Sequence, residues 1–397
     1  MQRTGCLAIV GGCGHVGLPL GLAFADAGTS VVLYDVDADA VDRVRAGKMP
    51  FLERGGEEVL ARVLRSGTLT LTTEAGAVAD VEHVIVVIGT PVDEHLNPDP
   101  GAVVRAIELI VDHLRDGQHL VMRSTVYPGV TAMVERLLAK HGKTIDVTFC
   151  PERIAEGKAL EELRSLPQIV SGRTPRAVER ASALFGVLTD KIVPLEPEEA
   201  ELAKLFTNTW RYLKFAAANQ LYMIATDYGA NFERIRLAMI EEYPRASDIP
   251  GAGLAAGPCL LKDTMQLAAF NKNNFLLGHA SMLVNEGLPG YLVDQIEKSH
   301  DLSVMTVGVL GMAFKAESDD IRSSLSYKLK RLLKLKAARV MCTDPYVTVD
   351  SDLESLEAVL TQADLLVVAA PHDVYRDLTP AVPVFDIWNL LSPRGTT

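Results

Sequence analysis

Gly12, Gly14 and Gly17 are spaced G-x-G-x-x-G. They follow a short apolar run, Leu7–Val10, and precede a periodic apolar stretch through Leu18, Leu20, Leu22, Ala23 and Phe24 that Gly28 closes. A second apolar run, Val31–Tyr34, ends in Asp35. The order is strand, glycine turn, helix, strand, acid. The glycines permit the tight turn and bring the helix N-terminus close to a pyrophosphate. Asp35 falls 35 − 17 = 18 residues after the last glycine, where a carboxylate holds ribose hydroxyls and repels a 2′-phosphate. This unit predicts a parallel α/β sheet that binds NAD.

The pattern continues. Residues 83–88 form an unbroken apolar run, as expected of a parallel strand buried on both faces, and end in Gly89-Thr90-Pro91. A helix is expected over 102–114. Strands follow at 119–122, leading into Arg123-Ser124-Thr125, and at 145–149, leading into Cys150-Pro151-Glu152-Arg153. Loops after parallel strands hold ligands in such sheets, which makes Thr90, Thr125 and Glu152 candidates by position.

From 198 to 228 nothing breaks a helical period, so one long helix is predicted, with Lys204 and Asn208 one turn apart on one face. Then comes a Gly/Ala/Pro-rich stretch from Gly251 that delivers Cys259, Lys262 and Asp263 within five positions. A thiol beside a lysine suits a stabilised thiolate nucleophile. A further helix is expected over 264–285. Strand-like runs return at 305–310, 338–342, 365–370 and 384–386 without a second G-x-G-x-x-G. Lys315 and Arg322, after the first of these strands, suit phosphate contacts. The fold expected is α/β, with two Rossmann-like domains joined by a long central helix. The divisions expected are an NAD-binding domain at 1–195, a helical dimerisation domain with the Cys259 loop at 196–300, and a second Rossmann-like domain at 301–397.

Charge narrows the partners. The net charge of 39 − 51 = −12 argues against non-specific binding to nucleic acid or anionic membranes. Five scattered cysteines with no C-x-x-C pair argue against a disulfide framework or structural zinc and fit a reducing cytoplasm. No metal site is expected, and no run approaches the roughly 20 apolar residues of a membrane span.

With these pieces in order, the chain resembles the UDP-glucose/GDP-mannose dehydrogenase family over nearly its full length. The resemblance is carried by Gly12-x-Gly14-x-x-Gly17-Leu-Pro, Ser124-Thr125-Val-Tyr-Pro-Gly129, Pro151-Glu152-Arg153 with Glu156-Gly157, and Glu201-x-x-Lys204-x-x-x-Asn208. Further along it is carried by Gly257-Pro-Cys259-x-x-Lys262-Asp263, Phe314-Lys315 with Asp319-Asp320-x-Arg322-x-Ser324, and Asp344-Pro345. No single motif decides; the set in this order is specific.

The resemblance implies oxidation of a sugar C6 alcohol to a carboxylate with two NAD⁺. Cys259 would attack the intermediate aldehyde, a thioester would follow, and water would release the acid. Lys204 would stabilise oxyanions, Asp263 and Asn208 would position water or oxygen, Glu152 would act as base and Thr125 would hold the water. It also implies cofactor contacts at Gly12, Gly14, His15, Val16, Gly17, Asp35, Thr90, Pro91, Thr125, Lys262 and Arg322. Substrate contacts are implied at Glu152, Arg153, Ile154, Lys204, Asn208, Arg245, Gly253, Phe314 and Lys315. A cytoplasmic homodimer acting on a UDP-sugar is expected.

The branch is read from departures. The UDP-glucose branch usually reads Asn-Pro-Glu-Phe-Leu where this chain has Cys150-Pro151-Glu152-Arg153-Ile154, a form closer to the UDP-N-acetylhexosamine branch. Lys262-Asp263-Thr264 resembles the UDP-glucose branch, and Trp388 stands where many relatives carry Arg. The expected substrate is a UDP-N-acetylhexosamine such as UDP-N-acetylmannosamine, with UDP-glucose as the alternative. A single-hydride hydroxyacid dehydrogenase would need neither Cys259 nor a second nucleotide domain. A non-catalytic scaffold would not be expected to retain the polar set.

Overall fold

The computed structural model describes residues 6–90, 92–93 and 98–391. The chain divides into two compact units, residues 1–207 and 208–397.

The first unit is built on a six-stranded parallel sheet. Its strands are β1 (Leu7–Val10), β2 (Val31–Tyr34), β3 (Leu69–Thr72), β4 (His83–Val86), β5 (His119–Met122) and β6 (Asp146–Phe149). The spatial order β3-β2-β1-β4-β5-β6 is that of a dinucleotide-binding sheet. Along β1, Leu7 and Ile9 enter one core while Ala8 and Val10 enter the other. A strand covered on both faces favours apolar residues along its length, which is why β1 reads as an unbroken run. A parallel pair, β7 (Gln168–Ser171) with β8 (Ile192–Leu195), completes the unit.

The helix Pro197–Asp227 is continuous, as the sequence predicts, and carries both Lys204 and Asn208. The expected single helix over 264–285 is two helices, Leu260–Phe270 and Leu276–Glu297. Lys272 and Asn273 between them have φ of 52° and 59°, a left-handed turn that ends the first helix. The helix expected over 102–114 is shorter, Ala102–Glu108, and continues as turns.

The second unit also contains a parallel sheet, with strands β9 (Thr306–Leu310), β10 (Arg339–Thr343), β11 (Leu365–Val368) and β12 (Val384–Phe385). They are ordered β10-β9-β11-β12. Val307 and Val309 face one core and Leu310 the other, again a sheet covered on both sides. Among the described residues no helix is long and apolar enough to cross a membrane.

Candidate active site

In the first unit the turn after β1 fits a dinucleotide. A Cβ on Gly12 would lie 2.7 Å from Leu33 Cβ, and one on Gly17 would lie 2.2 Å from the Gly11 carbonyl oxygen. These two glycines are needed for packing. A Cβ on Gly14 would meet only Gly11 O, at 3.6 Å, so this glycine faces open space where a ligand can approach. Asp35, just past β2, accepts hydrogen bonds from Cys13 N at 2.9 Å and Asp37 N at 3.1 Å. Its carboxylate thereby fixes the glycine turn. Val16 immediately precedes the helix Gly17–Asp26, and the His15 ring stacks on Phe51 at 4.2 Å. The Thr90 hydroxyl donates to Thr125 O at 2.7 Å, joining the loops after β4 and β5. Pro91 lies outside the described residues.

Glu152, expected to be a base, is occupied. Its Oε1 accepts Arg153 N at 2.6 Å and Ile154 N at 2.9 Å. Its Oε2 accepts Arg123 Nε at 2.9 Å and Arg123 Nη2 as well. A carboxylate offers about four lone-pair directions, and four donors meet Glu152 here. They tie it to Arg123 and to the backbone of Arg153 and Ile154. Glu156, on the same loop and not given a role by the sequence, is the next carboxylate along the chain. Arg153 donates from Nη2 to Pro167 O. On the long helix, Glu201 accepts Gly129 N at 2.6 Å, Thr131 N at 2.8 Å and Thr131 Oγ1 at 2.6 Å. It caps the helix Val130–Lys140 from outside, which satisfies its first N–H groups. Lys204, one turn on, is buried.

In the second unit Cys259 is the exposed residue immediately preceding the helix Leu260–Phe270. Asp263, one turn into that helix, is fully buried. Its Oδ2 accepts Asn208 Nδ2 at 2.5 Å, which joins this helix to the long one. Its Oδ1 lies 2.6 Å from Lys262 Nζ, an ion pair whose approach is not angled as a hydrogen bond. The Lys262 charge therefore lies against Asp263.

The loop before Cys259 is pinned twice. Asn219 Nδ2 donates to Gly253 O at 3.0 Å, and Asn219 Oδ1 accepts Gly253 N at 2.9 Å. Asn285 Oδ1 supports that amide at 2.9 Å. The Trp388 ring covers the other side of Gly253, and Trp388 Nε1 donates to Ala369 O at 3.1 Å. Four residues on, Gly257 has φ of 104°, lies under the Phe314 ring, and donates its N–H to Ser323 O at 3.3 Å. Sequence reasoning missed Asn219, although its spacing from Asn208 (eleven residues, about three turns) puts both on one helix face.

Three predicted contacts have intramolecular neighbours here. Arg322 folds back on Asp320 through Nε and Nη2, at 2.9 and 2.6 Å. Lys315 Nζ lies over the Phe314 ring at 5.6 Å, and exposed Arg245 over Tyr243 at 5.2 Å. The second sheet reuses the acid of the first in a different way. Asp344, after β10, accepts Met312 N at 2.6 Å and Ala313 N at 2.9 Å in the turn after β9. His372 fills the place beside it. Its Nδ1 accepts Glu317 N at 3.0 Å, so Nε2 carries the proton and donates to Asp344 Oδ2 at 3.1 Å. Burial alone would raise the Asp344 carboxyl, yet His372 and the backbone N–H groups hold it down to about 2. That carboxylate is committed internally and is not presented to a ribose.

Models of one family match the chain in three blocks. The NAD binding domain of the UDP-glucose/GDP-mannose dehydrogenase family matches residues 7–189, its central domain 198–286 and its UDP binding domain 308–393. A UDP-N-acetyl-D-mannosamine dehydrogenase of Pyrococcus horikoshii is 30% identical over 380 residues, 92% of this chain and 90% of that one. Among solved structures, a UDP-glucose dehydrogenase from Pyrobaculum islandicum superposes with a TM-score of 0.90 at 30% identity, covering 97% of this chain and 94% of that one. A UDP-D-ManNAc dehydrogenase from Pyrococcus horikoshii gives 0.89 at 27% identity, covering 98% and 96%.

Proposed function

The chain belongs to the UDP-glucose/GDP-mannose dehydrogenase family and is an NAD-dependent dehydrogenase of UDP-sugars, and from that premise we propose that it oxidises the C6 alcohol of a UDP-N-acetylhexosamine, such as UDP-N-acetyl-D-mannosamine, to the carboxylate. Gly12, Gly14, Gly17 and Asp35 would hold NAD⁺, which would supply the hydride acceptor for each of two oxidations. The observation that carries the reading is the doubly pinned loop that ends in exposed Cys259, with buried Asp263 one turn behind it.

The first oxidation removes a hydride and a proton from the C6 alcohol. Cys259 Sγ then bonds to the aldehyde carbon and the oxygen takes a proton, giving a thiohemiacetal. Loss of the second hydride and that proton leaves a thioester on Cys259. Water adds, the thiolate leaves, and the carboxylate is released. The tether keeps the aldehyde from escaping between oxidations. Lys204 stabilises the oxyanions, a role that suits a buried ammonium. Asn208 and Asp263 orient oxygen, and Thr125 holds the water. Water activation stays with Glu152, the carboxylate that the resemblance implies as base. Lys262, His15, Val16, Thr90 and Arg322 serve the cofactor; Arg153, Ile154, Arg245, Gly253, Phe314 and Lys315 serve the UDP-sugar. The working divisions are 1–195, 196–300 and 301–397.

UDP-glucose is the second reading, favoured by the likeness to the Pyrobaculum enzyme. Purified protein with NAD⁺ and UDP-N-acetylmannosamine, UDP-N-acetylglucosamine or UDP-glucose decides between them. Two NADH per acid are expected from the first sugar, and no acid from Cys259→Ala. One NADH per turnover, or full activity without the thiol, sinks the thioester scheme.

A homodimer along the long helix is part of the proposal. Trp210, Leu221, Ile224 and Tyr228 are 58%, 39%, 58% and 89% exposed. With Ala217 between them they follow the 3-and-4 spacing of a helix–helix seam, which a second copy would bury. A cytoplasmic setting accords with five free thiols.

A further inference from the structure

Residues 48–55 run without helix or strand between the helices Ala38–Arg45 and Gly56–Ser66, and they carry a buried carboxylate. Glu53 is 6% exposed. Its Oε2 accepts Gly157 N at 3.0 Å, and its Oε1 accepts Leu160 N at 3.2 Å. Next to it, Arg54 N donates to Gly157 O at 3.2 Å. Both backbone groups of Gly157, whose φ is 81°, are thus bonded to residues 53 and 54. Two residues earlier, Phe51 stacks on the His15 ring of the glycine turn. Phe51, Ile154 and Leu160 pack on one hydrophobic core of the first unit. The anchor therefore has a fixed base.

The segment it holds, residues 153–160, is the loop after β6 and the start of the helix Ala159–Ser165. Carboxylates accept from its backbone. Glu152 takes Arg153 N and Ile154 N, Glu162 takes Ala155 N at 2.6 Å, and Glu53 takes Gly157 N and Leu160 N. Glu152 and Glu162 flank the segment in sequence, whereas Glu53 stands 104 and 107 residues from its two partners. A contact closed over so long a stretch fixes where the loop lies as well as its shape. Hydrogen bonds to a carboxylate are about twice as strong as neutral ones.

We propose that Glu53 is a positioning residue for the UDP-sugar: by holding Gly157 and Leu160 it sets the place of the loop that presents Arg153 and Ile154, which the proposed function assigns to the substrate. Glu152, at the other end of the loop, has a hold of its own in Arg123. Loss of Glu53 therefore falls on sugar binding more than on turnover. A glutamine at 53 keeps one acceptor oxygen and turns the other into an NH2, which meets an N–H with a second donor. An alanine removes both acceptors.

This inference rests on the proposed reaction with a UDP-sugar, and its test has one readout that needs no sugar. Wild-type, Glu53→Gln and Glu53→Ala proteins are followed by hydrogen exchange with mass spectrometry, and by initial rates with UDP-N-acetyl-D-mannosamine and NAD⁺. In both variants the peptide spanning 153–163 should exchange faster, while β1 and β4 keep their protection. KM for the sugar should rise about tenfold, the worth of one charged hydrogen bond, with a smaller fall in kcat. KM for NAD⁺ should stay near the wild-type value, because Phe51 keeps its place on His15. Unaltered exchange over 153–163 would overturn the inference, since Glu53 would not hold the loop. Faster exchange with a wild-type KM for the sugar would overturn it too, since the held loop would not serve the substrate. If Glu53→Ala does not fold, Glu53→Gln decides alone. Failure of the parent reading looks different: the wild type itself then oxidises no UDP-sugar, while the exchange difference remains, and the inference falls with that reading.

Discussion

The six-membered ring of Trp388 lies directly on Gly253: a methyl group there would sit 2.2 Å from Trp388 Cζ3 and 2.4 Å from Cη2. The backbone of Gly253 is also clamped by Asn219, so it has nowhere to retreat. Gly253→Ala should cost about 1–3 kcal/mol of stability, as overpacked cores do, and displace the Cys259 loop enough to cut turnover at least about tenfold. Removing the ring should relieve the clash, so Gly253→Ala/Trp388→Ala should recover part of the loss. Thermal melts and NADH production read both effects. Additive losses in the double variant would show that the ring and the glycine do not interact.

The Asp35 carboxylate holds Cys13 N, and the proposed function also assigns it the cofactor's ribose. Asp35→Ser should raise KM for NAD⁺ roughly tenfold, the worth of a charged hydrogen bond. It should also narrow the preference over NADP⁺, since the repelling charge is gone. Initial rates with both cofactors measure this; an unchanged ratio of kcat/KM would speak against the assignment.

Acid should weaken the first unit through two histidines. His83 and His119 pair side by side on β4 and β5, Nδ1 to Nδ1 at 2.9 Å, and His119 Nε2 meets Thr148 Oγ1 at 2.9 Å. One nitrogen of the pair must accept, so they cannot both be charged. Burial lowers both from the ordinary 6.5, with His119 reaching about 3, and Arg180 adds to the effect on each. Nearby Glu82 opposes it at His83. Below pH 6.5 the unfolded chain takes up protons that the folded chain refuses. The pair's contribution is therefore intact above about pH 6.5 and drains away as pH falls towards 3. Melting temperatures at pH 7.5 and 5.0 should differ less in His119→Gln than in the wild type. Parallel slopes would remove the pair as the cause.

The exposed seam on the long helix predicts an assembly that charge can break. Ile224→Glu with Trp210→Glu should halve the particle mass in light scattering if a second copy covers that face. An unchanged mass in the double variant would move the interface elsewhere.

The first sheet was legible because its constraints are local. A glycine turn, an apolar run and an acid follow each other within 29 residues, from Leu7 to Asp35. The long helix was legible for the same reason. The Glu152 pairing was not, because its partner Arg123 stands 29 residues away. The break between Phe270 and Leu276 was hidden because Lys272 and Asn273 adopt left-handed angles without a glycine to announce them. Asn219 left a faint trace as a polar residue in phase with Asn208, but its Gly253 partner is 34 residues away.

Asp344 and His372 describe a lock that already holds its own key. The second sheet keeps the acid to which the proposed function gives a ribose in the first, and here an imidazole from the same chain sits against it. Writing a glycine fingerprint into the turn after β9 would not make this sheet accept a dinucleotide. The tenant is internal, and His372 would have to be evicted first, along with the backbone N–H of Glu317 that it satisfies.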